Sequence, residues 1–191
     1  MTDLVFLLEE PSAKEMLKGV LPNLLTDKLC KLKVFYLVFD GKQDLEKQME
    51  KKIRGWQNLD AFFIVLRDQD KGDCLVVKSN LQSKALASGK AEKILIRIAC
   101  CELESFYLGD LAAVASGLNI SAISKLQTKS QYREPDKLKN AAEQLCKITA
   151  DKYQKVSGSR AIAPFLRIDG SNTSRSFNML MQGICKIAAA E

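Results

Sequence analysis

A chain of 191 residues, 47% hydrophobic and 27% charged, has room for one well-packed domain and the composition of a globular protein, which excludes a disordered or fibrous one. It contains no histidine, so Ser-His-Asp and Cys-His catalysis and nuclease mechanisms with a histidine base are excluded within it. The net charge of +6 is unevenly placed: residues 1–115 carry 17 basic and 17 acidic side chains, residues 116–191 carry 12 and 6.

In chain order, Leu4-Val5-Phe6-Leu7-Leu8 is an apolar run of strand length that stops at Glu9-Glu10. Pro11 and Ser12 follow, with Glu15 three residues beyond Ser12, a spacing that predicts a capping box at a helix start. Met16, Leu17, Val20, Leu21, Leu24 and Leu25 recur at helical spacing, with Pro22 expected to bend or shorten that helix. A second strand is expected over Val34–Phe39, and a helix rich in lysine and glutamate from about Gln43 to Arg54. The third strand, Ala61–Leu66, runs into Arg67-Asp68-Gln69-Asp70. A helix from about Cys74 to Ser88 and a fourth strand, Ile94–Ile98, come next. Strands that are apolar throughout and alternate with helices predict a mostly parallel four-stranded α/β sheet of Rossmann-like type, covered on both faces.

Strand signals stop near Ser116. Residues 117–134 read as a surface connection, with helices expected near 136–151, 159–166 and 174–188. The last places Phe177, Leu180, Met181, Ile184, Cys185 and Ala188 on one face. The expected organisation is an α/β core over 1–115 and a basic, mainly helical extension over 116–191, packed on that core as one globular unit. No apolar run reaches the roughly 18 residues that a membrane span needs. The acid in Met-Thr-Asp and the pair Glu9-Glu10 do not fit a signal peptide, so a cytoplasmic location is expected. Six cysteines without a Cys-x-x-Cys pair read as reduced thiols.

Open parallel sheets gather functional groups beyond the carboxyl ends of their strands. Glu9 ends strand one, Asp68 and Asp70 follow strand three, and Asp73, Glu102 and Glu104 lie beyond strands three and four. If strands one, three and four are neighbours, these acids converge, and hard ions such as Mg²⁺ or Mn²⁺ are the natural occupants. Each acid also has a plainer reading. An Asp-x-Asp step after a strand serves as a turn or helix cap, and glutamates at helix starts complement the dipole. Lys42 and Arg160 are candidate phosphate contacts, while Lys51, Lys52 and Arg54 suit the carboxyl end of a helix.

Leu8-Glu9-Glu10-Pro11-Ser12, Gly41-Lys42-Gln43-Asp44-Leu45, Leu66-Arg67-Asp68-Gln69-Asp70 with Asp73-Cys74, the stretch Glu102 to Asp110 and the stretch Ser157 to Pro164 together carry a resemblance. The chain resembles the bacterial family called domain of unknown function 4276, and the order of Glu9 and Asp68-Gln-Asp70 is similar to the topoisomerase–primase (Toprim) arrangement. The resemblance implies Glu9 as metal ligand or general acid/base, Asp68 and Asp70 as the metal-binding pair, and Asp73, Glu102 and Glu104 as further acids able to serve a second ion. It departs at Glu10, where Toprim proteins commonly have glycine. It implies a metal-dependent nuclease acting on nucleic acid, expected to be DNA, and a separate ATPase partner in anti-phage defence. The chain has no phosphate-binding Gly-x-x-x-x-Gly-Lys-Ser/Thr loop of its own. The alternatives are a regulatory subunit that binds nucleic acid or protein without catalysis, and a nucleotide hydrolase or primase-like synthase.

Overall fold

Each of the four apolar runs forms a strand in the structure, a computed structural model that describes residues 1–189. The strands are β1 (Thr2–Leu8), β2 (Leu32–Val38), β3 (Ala61–Asp68) and β4 (Ile94–Ala99). They build one all-parallel sheet in the order β2-β1-β3-β4, with Leu8 paired to Val38 and to Leu66, and Asp68 to Ala99. The central strand β1 is buried along its whole length, which is why it tolerates no polar residue between Asp3 and Glu9.

Strand alternation divides the core into two layers. Leu4, Phe6 and Leu8 with Ile64 and Leu66 face α1 (Pro11–Leu24), while Val5 and Leu7 with Phe63 and Val65 face α2 (Gly41–Arg54) and α3 (Cys74–Ala87). Crossover handedness explains the division. The step from β1 to β2 runs one way along the sheet and the steps to β3 and β4 run the other, so α1 lies on one face and α2 and α3 on the opposite one.

The remaining helices are α4 (Ser105–Leu108), α5 (Leu111–Leu118), α6 (Ala141–Ile148), α7 (Lys155–Ile162) and α8 (Arg175–Ala189). All of them join the α1 face: Phe106, Val114, Leu145, Ile162, Phe177 and Ile184 belong to the same buried cluster as Leu4 and Met16. The fold is therefore α/β and Rossmann-like, with its second half layered on one side of the sheet. Among the described residues no helix is long and apolar enough to cross a membrane.

Several local expectations are corrected. Glu10, not Ser12, is the residue before α1, because Pro11 fits the first helical position with its fixed φ and missing N–H. The Ser12 hydroxyl donates to Glu10 instead, and Glu15 pairs with Arg160 and Lys18. Helix α1 continues two residues past Pro22. The connection over 117–134 winds into 3-10 turns (Ser121–Thr128 and Ser130–Tyr132) and is pinned by Gln127, which accepts from the Leu111 N–H and donates to the Leu108 carbonyl. The helix expected near 136–151 is shorter, and the one expected at 159–166 starts at Lys155 and tightens into a 3-10 turn at Ala163–Phe165, where Pro164 cannot donate. Cys185 is only partly buried, unlike its neighbours on the buried face of α8.

Helices α5 and α7 meet at Gly117, where a Cβ would stand 2.6 Å from the Ala161 carbonyl oxygen and 2.7 Å from the Ile162 Cα. Backbone atoms cannot rotate away, so Gly117→Ala is expected to destabilise the protein by about 1–3 kcal/mol. A urea melt showing an unchanged midpoint would contradict this packing.

Candidate functional site

The chain leaves β1 for β2 on one side and comes back to β3 on the other, so the crevice beyond β1 and β3 is the switch point of the sheet. Glu9 follows β1 directly and Asp68 is the last residue of β3. Their adjacency is fixed by the Asp68 N–H, which donates to Glu9 Oε2 at 3.1 Å. Beside them Glu10 accepts the Ser12 hydroxyl at 2.5 Å and meets the Lys155 ammonium at 3.2 Å. Both glutamates therefore take part at the strand end, Glu9 against Asp68 and Glu10 against Lys155.

Glu104 reaches the same crevice from the start of α4 and is fully buried. One carboxyl oxygen accepts the Tyr153 hydroxyl at 3.0 Å, while Oε2 has no hydrogen-bond partner. The buried Tyr107 hydroxyl is also unpartnered. A buried carboxylate oxygen without a donor or cation is costly.

The electrostatics follow from that crowding. Burial first, then the charges of Glu10, Glu104 and Glu9, push the Asp68 carboxyl well above the usual carboxylate range. Burial also raises Glu104, against the attraction of Lys155. Glu9 is raised by burial and by Asp70, with the Asp68 N–H acting the other way. Lys155 answers these acids: burial disfavours its charge, yet Glu104 and Glu10 together hold its pKa above the ordinary lysine value. The crevice thus contains more negative charge than one ammonium can balance.

The other sequence-identified residues are placed elsewhere. Asp70 adopts a left-handed backbone (φ 55°) and pairs with Lys42 at 2.8 Å, so the Asp-x-Asp step splits across the end of the sheet. Asp73 caps α3, accepting from the Leu75 and Val76 N–H groups. Glu102 accepts the Ala142 N–H at 2.7 Å and so tethers α6. Arg160 pairs with Glu15 at 2.6 Å on the outside of α1, which holds the Glu15 carboxyl below its ordinary value. In place of these, the structure brings Glu10, Lys155 and Tyr153 to Glu9, Asp68 and Glu104. A helical projection of the stretch around Ser157-Gly158-Ser159-Arg160 could have found Lys155. It lies one turn before the buried Ser159, whereas Arg160 points to solvent.

The donors are all oxygen, which suits Mg²⁺, Mn²⁺ or Ca²⁺ over softer ions. Among the described residues no group of three or more Asp, Glu or Cys side chains is arranged to hold a metal ion as the side chains stand, and Lys155 is the cation beside Glu10. The unpartnered Glu104 Oε2 and the raised carboxyls of Asp68 and Glu9 are the features that fit an ion.

A family model described as Domain of unknown function (DUF4276) matches residues 8–184. No curated protein and no solved structure matches the chain.

Proposed function

The chain belongs to that family, whose description carries no activity, and we propose that it is a divalent-metal-dependent phosphodiesterase acting on DNA, with a Toprim-like placement of its acids. The observation that carries this reading is the buried, unpartnered carboxyl oxygen of Glu104, whose charge acts on Asp68 at the β1–β3 switch point where the Asp68 N–H holds Glu9. Carboxylates forced together and desolvated in this way gain most from a divalent counter-charge. These three residues would hold the ion, with inward rotation of the side chains. Bound there, Mg²⁺ or Mn²⁺ would supply acidified water and neutralise charge developing on a phosphate.

The residues of the chain itself supply the rest. Lys155, with its ammonium at the solvent side of the cluster, offers a positive charge to a phosphodiester oxygen. The excess of basic side chains in 116–191 would draw a polyanion toward that side. The reading is tested by Mn²⁺-dependent nicking of supercoiled DNA, with and without a cognate ATPase, a partner that comes from the Toprim resemblance alone.

A second reading has its own support. Lys155 already neutralises Glu10, which stands where Toprim proteins commonly have glycine, and this suits a binding subunit without catalysis. Lys155→Met separates the two. On the catalytic reading it leaves Mn²⁺ binding intact or tighter, since a competing cation is gone, and it lowers nicking. On the binding reading Mn²⁺ has no effect on wild type or variant, and only salt-sensitive DNA affinity falls. Isothermal titration with Mn²⁺ beside a filter-binding assay reads both.

A further inference from the structure

Strand alternation sends Arg67 to the α2–α3 side of the sheet, away from Asp68, and there it lines a cavity of about 320 Å³ with Lys42, Asp70, Lys71 and Val77. Arg67 is 7% exposed. Its Nε lies 3.1 Å from a Glu46 carboxyl oxygen without hydrogen-bond alignment, and its Nη1 has no partner at all. A guanidinium this desolvated, with spare donors, calls for a further acceptor.

The neighbouring helix α2 adds donors, although the Gly41 N–H already donates to the Glu9 carbonyl and Asp44 stands in its first turn. Lys42 is the second residue of α2, a helix of 14 residues whose preceding Asp40 makes no side-chain cap, whereas α3 is capped by Asp73. Lys42 is held by Asp70 at 2.8 Å, and Lys71 is exposed with no ion pair among the described residues. Three cations, Arg67, Lys42 and Lys71, line the cavity beside the carboxylates of Asp70 and Glu46, with Glu9 also acting on Arg67.

We propose that this cavity seats a phosphate group, bound by Arg67, Lys42, Lys71 and the N–H groups that follow Gly41 in the first turn of α2. A tetrahedral anion with several oxygens suits donors that converge from separate directions, and helix amino ends favour such charge. The volume lies at the low end of small-molecule sites, enough for a phosphate with part of the group it esterifies. The incoming anion takes Lys42 from Asp70, so Asp70 acts as its competitor. The seat does not require metal at Glu9, Asp68 and Glu104, and phosphate binding can be read with no turnover.

The test uses the full chain with chelator present at fixed ionic strength. It follows thermal stability against inorganic phosphate, a 5′-phosphorylated dinucleotide and its 5′-hydroxyl counterpart. A saturable stabilisation by phosphate is expected, absent for the 5′-hydroxyl dinucleotide. Lys42→Ala and Lys71→Ala each weaken it roughly 2–5-fold, and Arg67→Gln weakens it at least about 10-fold. Asp70→Asn strengthens it. Tighter binding of the phosphorylated dinucleotide than of inorganic phosphate assigns the seat to an ester, and equal binding assigns it to a free phosphate group. No saturable effect from either, or affinities unchanged in the two lysine variants, overturns the proposal whatever becomes of Arg67→Gln.

Discussion

Asp68→Asn is expected to abolish Mn²⁺-dependent DNA nicking while making the metal-free protein more stable. The two effects have one cause. Asp68 sits at the end of β3 among Glu9, Glu10 and Glu104, and its ionised form is disfavoured by burial and by those charges. Removing the charge relieves repulsion on the order of 1–2 kcal/mol, roughly 2–8 °C in Tm for a chain of this length. The amide keeps the shape and leaves the backbone N–H free to donate to Glu9. It gives up the anionic oxygen that a hard ion requires, so activity should fall at least about 100-fold. A variant that is both less stable and still active would show that Asp68 is a structural acid. Thermal melts in chelator, run beside the nicking assay, read both halves.

The second large effect is on pH dependence. Asp68, Glu104 and Glu9 all have carboxyls raised in the folded chain. For such groups the stabilising contribution is complete below the ordinary carboxylate values of 3.8 and 4.5 and is lost as pH rises through the folded pKa. Glu15, Asp44 and Asp169 are lowered, so their contribution is lost only as pH falls below the ordinary carboxylate range and is constant above about pH 5. The metal-free protein should therefore lose stability as pH rises from about 5 through the raised pKa values of these three groups. Saturating Mn²⁺ should cancel or reverse that slope, because a bound ion favours the ionised carboxyls. A Tm that climbs steadily between pH 5 and pH 8 in chelator would contradict the crowding of these three groups.

Much of the architecture could be read from residue pattern. Continuous apolar runs such as Leu4–Leu8 and Ala61–Leu66 have no polar face to show water, so they belong in a parallel sheet with helices on both sides. The strand order was not legible, because the chain encodes where strands begin and end but not which neighbour each will take. Placement of the acids beyond β1, β3 and β4 followed from topology. Their division did not. Asp68 and Asp70 differ by one residue in between, and pleat alternation alone would put both on the same face. The left-handed turn at Asp70 breaks that alternation and delivers it to Lys42.

Long-range packing decided the rest. Arg160 looked apt for phosphate because of its charge and its motif, yet the side of α7 it occupies faces Glu15 across α1. Tyr153 is 49 residues from Glu104 in sequence and Lys155 is 145 from Glu10, and these pairs meet because α7 packs along α1. Asp73 and Glu102 satisfy backbone N–H groups at helix starts, the ordinary use of an acid in that position.

Catalysis of this kind would depend on one property, the binding of a divalent ion by Glu9, Asp68 and Glu104. Its most direct measurement is the anomalous difference map of a crystal soaked in Mn²⁺. A peak within coordination distance of Asp68 and Glu104 carboxyl oxygens, with the Lys155 ammonium moved aside, is the predicted result. A crevice that holds no peak at saturating Mn²⁺, with Lys155 still against Glu10, would contradict it.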